Sequence, residues 1–81
     1  NKVSEAVASL RRQSESLRYY TRSALKEADE LLKVANLQLQ HSETNITEFI
    51  QAVNVARDIR RGYLETVYQY NIAALEYELF K

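Results

Sequence analysis

The amino-acid sequence predicts an all-α protein, an antiparallel two-helix coiled-coil hairpin. The 81 residues include no proline and one glycine, two residue types that destabilise the interior of a helix. Apolar residues recur every three or four positions in both halves, as on one face of a coiled-coil helix. A polar segment, Gln40–Asn45, separates the halves. We therefore expect a single helical hairpin over residues 1–81, with helices over 3–40 and 46–80 and a turn over 41–45.

The first predicted helix has two apolar stripes. The main stripe alternates spacings of four and three residues, with polar interruptions at Ser14 and Thr21. Its members are Val3, Val7, Leu10, Leu17, Ala24, Ala28, Leu31 and Ala35. A second stripe, at seven-residue spacing, comprises Leu25, Leu32 and Leu39. Two adjoining stripes indicate a helix that packs against more than one neighbour.

The second predicted helix repeats this arrangement. Its main stripe comprises Ile46, Phe49, Val53, Ala56, Tyr63, Val67, Tyr70, Ala74 and Tyr77, and its second stripe comprises Ile72, Leu75 and Leu79. Arg60 interrupts the main stripe, which makes it the best candidate for a charge contact between helices. At Gly62 we expect either close packing against a neighbour or a slight bend, because glycine costs ~1 kcal/mol relative to alanine inside a helix. Each arm would span about 55 Å.

Local chemistry favours a turn at the polar segment. His41, Ser42, Thr44 and Asn45 are mediocre helix formers, each costing ~0.5 kcal/mol relative to alanine. Asn45 and Glu48 have the spacing of a capping box ahead of an apolar stripe. The first stripe can nevertheless be continued in phase through Phe49, so that periodicity also allows one continuous helix.

Composition argues against several classes of function. The 11 basic and 11 acidic residues give a net charge of zero, whereas nucleic-acid binding needs a basic surface. The single histidine, His41, lacks further metal ligands nearby, and the chain has no cysteine, phosphate-binding loop or nucleophile–base pair. We therefore expect neither an enzyme nor a metal or cofactor site. No stretch approaches 18 apolar residues, so we expect no membrane contact.

Two helices bury little core, so we expect the hairpin to need copies of itself or a longer parent chain. The chain opens with Asn1 and has helical spacing from Val3 onwards, which suggests a fragment of something larger.

From Thr44 onwards the sequence resembles the last periplasmic hairpin of the TolC-like outer-membrane efflux proteins. It is most similar to their heavy-metal-efflux branch (CusC/CzcC-like), including versions fused to the inner-membrane pump. The family pattern is matched by Glu48-Phe49-Ile50, Tyr63-Leu64, Tyr70-Asn71, Ala73-Ala74 and Leu75-Glu76. The resemblance covers most of residues 31–80, whereas residues 1–30 match only as an amphipathic helix. The family's turn glycine is absent, and Ser42 stands about where it would fall.

The resemblance implies a role in transport. Such proteins are trimers in the outer membrane with a long α-helical tunnel across the periplasm. This chain would supply two staves of the tunnel, with Arg60 as a possible inter-stave charge contact. The turn would dock the periplasmic adaptor of a tripartite (RND-type) export system, and we expect Ser42, Glu43, Thr44 and Ile46 to be exposed there. The full candidate tip comprises Ser42, Glu43, Thr44, Asn45, Ile46 and Phe49.

The alternative is a structural or interaction coiled coil without a transport role. It would be either an adaptor-protein hairpin, whose sequence also alternates alanine and leucine around a short tip, or a long helix in a dimer.

Overall fold

Two antiparallel helical arms lie side by side in a computed structural model that describes all residues, Asn1–Lys81. The first arm consists of α1 (Lys2–Tyr19), a π-helical turn (Tyr20–Ala24) and α2 (Leu25–Gln40), and the second arm is α3 (Ile46–Phe80). The molecule measures 58 × 19 × 13 Å. The predicted all-α hairpin is confirmed, and the alternative of one continuous helix is wrong.

The arms meet through small side chains. Six residues are buried and all are alanines: Ala6, Ala24, Ala28, Ala35, Ala56 and Ala73. Larger apolar side chains flank this seam and remain partly exposed, so no large side chain is fully buried. The accessible surface is 6104 Å², whereas a compact monomer of 9.4 kDa has about 5,000 Å². The hairpin therefore exposes more surface than a compact monomer of the same mass.

The π-helical turn changes which positions of the first arm face α3. Before the turn, one inward series recurs every seven residues at Ala6, Gln13 and Tyr20. Continued in phase, that series would reach Glu27 and Val34, but both are exposed. The inward series after the turn lies one residue later, at Ala28 and Ala35. The extra residue of the π-helical turn produces this shift, because its hydrogen bonds close over five residues instead of four.

The main stripe expected for the first arm is confirmed at Val3, Leu10 and Leu17, which are half-buried, and is wrong at Val7. Val7 is exposed and Ala6 is buried in its place. The two polar interruptions, Ser14 and Thr21, are exposed positions and do not face α3. The Thr21 hydroxyl donates instead to the backbone oxygens of Leu17 and Arg18, at 3.0 and 3.3 Å. Because both positions are exposed, a polar residue at either one leaves no polar group buried without a partner.

The second arm follows its expected stripe more closely. Its half-buried or buried members are Phe49, Val53, Ala56, Tyr63, Val67, Ala74 and Tyr77. Ile46 is exposed because α2 ends at Gln40 and leaves no helix opposite it. Tyr70 is also exposed, and nearby Ala73 is buried. At the open end of the hairpin, the Lys2 ammonium lies 4.8 Å from the centroid of the Phe80 ring.

Candidate docking tip

The first arm ends in a Schellman motif. His41 is the last residue with near-helical backbone angles, at φ −93° and ψ 9°. The Glu43 N–H donates to the Gln38 oxygen at 2.7 Å, and the Ser42 N–H donates to the Leu39 oxygen at 3.2 Å. These are the two bonds that define the motif, and they satisfy carbonyl groups that the end of a helix leaves free.

Ser42 takes the left-handed conformation that the Schellman motif requires. Its φ is 57°, and it is the only non-glycine residue in the chain with a positive φ. Glycine usually occupies this position because an L side chain crowds the backbone there, at a cost of roughly 1–2 kcal/mol. The turn glycine of the TolC-like family would stand at about Ser42, and the backbone conformation at Ser42 favours glycine.

The second arm begins at an N-cap. Asn45 has extended backbone angles, φ −103° and ψ 171°, and its Oδ1 accepts the Glu48 N–H at 2.8 Å. The bond from the Glu48 N–H to the Asn45 side chain is one of the two bonds of a capping box. In place of the second bond, the Glu48 carboxylate accepts from the Thr44 hydroxyl and not from the Asn45 N–H.

The tip residues differ in exposure. Ser42, Glu43, Asn45 and Ile46 are exposed, and 59% of Ile46 is accessible. Thr44, which we expected to be exposed, is half-buried. Phe49 is also half-buried and borders an open groove, whose other lining residues are Asp29, Leu32, Lys33 and Asn36 of α2. The exposed part of the tip is thus a short patch around Ser42, Glu43 and Ile46.

No acidic, histidine or cysteine side chains cluster at the tip in a way that could hold a metal ion. His41 is exposed, and no group of three or more such residues occurs anywhere in the chain.

Arg60 forms an ion pair within the hairpin. Its Nη2 donates to the Asp29 Oδ1 at 2.7 Å, and the pair joins α3 to α2. The side chains are 52% and 64% exposed, so solvent screens the pair and it contributes about 0.2–1 kcal/mol. Arg60 thus contacts the neighbouring helix of its own hairpin, which explains a charged residue in an apolar stripe.

Close packing explains Gly62, and sequence reasoning did not identify its partner. A Cβ atom at Gly62 would overlap the Tyr20 hydroxyl oxygen and lie 3.2 Å from the Tyr20 Cζ. The Tyr20 ring also packs edge-on against Tyr63, with ring centroids 6.0 Å apart. The signal in the sequence is a glycine beside a tyrosine on one arm and a tyrosine pair on the other. Only the antiparallel register shows that they meet.

No protein-family model, no curated protein and no solved structure matches the chain. None of its helices combines the length and the apolar character needed to cross a bilayer.

Proposed function

We propose that the chain is a periplasmic α-helical hairpin of an outer-membrane efflux channel. Its turn docks the periplasmic adaptor of a tripartite export system, and the parent protein is a trimer. The observation that carries the proposal is a rigidly built, exposed tip at the end of a 58 Å rod, in the segment that resembles the TolC-like proteins. A rod of this length separates the docking patch from the other end of the hairpin.

The tip is suited to docking because its backbone is held while its outer side chains stay free. The Schellman bonds and the Asn45 cap fix the chain on both sides of Ser42. A patch that is already ordered loses little conformational entropy on binding, which favours affinity. Glu43 and Ile46 offer a carboxylate and an apolar contact, and both are exposed.

The arms support a role as tunnel staves. A stave contacts neighbours on both sides, and both arms expose large apolar side chains that the hairpin does not cover. On the first arm Val34 and Leu37 are 52% and 54% accessible, and on the second Leu64 and Leu75 are 65% and 63% accessible. Burying such surface against neighbours would stabilise the assembly by roughly 25 cal/mol per Å².

The test changes the patch and leaves the turn intact. Glu43→Lys and Ile46→Ser are introduced together into the parent protein, with Ser42 and Asn45 retained so that the Schellman motif and the cap survive. Val55→Ser is the matched control, because Val55 is also an exposed apolar residue of α3 but lies away from the tip. Resistance of cells to exported compounds and cross-linking to the adaptor are measured.

We expect the tip variant to lose resistance and adaptor cross-linking at normal expression and trimer content, and the control to retain both. Normal resistance in the tip variant would overturn the proposal. It would favour the alternative, an interaction coiled coil in which the arms and not the tip make the essential contacts.

A further inference from the structure

The outward face of α3 has an apolar stripe that nothing in the hairpin covers. This outer stripe comprises Leu64, Tyr68, Leu75 and Leu79. Their accessible fractions are 65%, 61%, 63% and 76%, respectively. Their spacings of four, seven and four residues keep them on one side of the helix over roughly 22 Å. Towards the tip the same face continues with Arg57 and Arg61, which bound the apolar part.

Asn71 lies in the gap of the outer stripe and indicates what covers it. It is exposed and stands on the same face, between Tyr68 and Leu75. Against a purely apolar partner its amide would be buried without a hydrogen bond, which is costly. Against a second copy of the chain, two Asn71 amides meet, and each supplies both donors and an acceptor. A single asparagine in an apolar seam is also a device that sets register and oligomer state.

The residues that flank the outer stripe favour a parallel, in-register pair. In such a pair each residue on one flank meets the partner residue five positions later on the other flank. Val67 then faces the partner's Ile72, which brings two apolar side chains together. The alternative is an antiparallel overlap of the same stripes, in which residue 64 of one copy lies opposite residue 79 of the other.

We propose that the outer stripe binds a second copy of the chain, parallel and in register, with Asn71 paired to the partner's Asn71. The contact does not depend on adaptor docking, since it uses α3 from Leu64 to Leu79 and not the tip; Leu64 and Leu75 are the side chains that the proposed function also buries against a neighbouring stave. The isolated 81-residue chain is therefore a dimer in solution.

Sedimentation equilibrium of the full chain tests the dimer. We expect a mass near twice 9.4 kDa that falls towards the monomer on dilution. Leu75→Lys should raise the dissociation constant by about 30-fold or more, because two partly exposed leucines lose their burial. Val55→Lys, on another face, should leave it within about threefold. A monomeric native chain, or equal effects of the two variants, would overturn the proposal. Circular dichroism checks that each variant stays helical.

Single cysteines test the orientation, since the chain contains none of its own. Leu64→Cys and Leu75→Cys should each form a disulfide-linked dimer alone under mild oxidation, because each side chain meets its own copy in a parallel pair. In the antiparallel overlap the two copies of residue 64 would lie about 22 Å apart, too far for a disulfide. Failure of both variants to cross-link while the chain sediments as a dimer would refute the parallel arrangement.

Discussion

Deleting one residue from the π-helical turn should leave the hairpin at least as stable as before. Arg22 is the choice because it is exposed in that turn. The Leu25 N–H donates to the Tyr20 oxygen across five residues, and after the deletion the same bond would span four, as in an α-helix. The inward series would then run at unbroken seven-residue spacing through Ala6, Gln13, Tyr20, Ala28 and Ala35. We expect the melting temperature to rise or to change by less than about 3 °C.

Deleting Arg12, an exposed residue of α1, is the matched control. It would rotate residues 1–11 by about 100° relative to α3, which takes Val3, Ala6 and Leu10 off the seam. Val3 and Leu10 are half-buried and Ala6 is buried, so the lost burial amounts to roughly 3 kcal/mol. Unfolding 81 residues at about 2.1 cal/mol/K per residue converts this into a fall of about 15–20 °C.

Thermal melts followed by circular dichroism compare the two deletions with the native chain. All melts are run at one protein concentration, because self-association makes the melting temperature concentration-dependent. The reasoning fails if deletion of Arg22 lowers the melting temperature as much as deletion of Arg12. That result would mean that the π-helical turn does not compensate for an extra residue in the heptad pattern.

Two further substitutions test the turn and the seam. Ser42→Gly should stabilise the hairpin by about 0.5–1 kcal/mol, since relief of the positive φ exceeds the entropy that glycine adds to the unfolded chain; an unchanged or lower midpoint in a denaturant titration would contradict this. Gly62→Ala should gain ~1 kcal/mol of helix propensity only in a Tyr20→Ala background, because Tyr20 occupies the space of the new methyl group. A double-mutant cycle measures the coupling of Gly62 and Tyr20, and additive effects would disprove the contact.

Local chemistry predicts most of the tip. The polar segment contains few helix-favouring residues, and the hairpin turns there, with α2 ending at Gln40 and α3 beginning at Ile46. Asn45 accepts the Glu48 N–H over three residues, a contact that sequence spacing alone can indicate. The half-burial of Thr44 could not be predicted in this way, because Glu48 had two candidate donors, the Asn45 N–H and the Thr44 hydroxyl. Which of them it takes depends on how the turn orients each donor relative to the Glu48 carboxylate.

The sequence by itself determined that the chain is helical and that both arms have more than one apolar stripe, and its local chemistry favoured a turn near Ser42. These properties depend on residues within a few positions of one another, and propensity, capping and periodicity describe them. Only the tertiary structure decided that Ala6 and not Val7 faces inward, why position 62 is glycine and which carboxylate pairs with Arg60. These depend on contacts between arms and on the register of the hairpin, and a one-residue shift in the π-helical turn changes them without altering local helix preference.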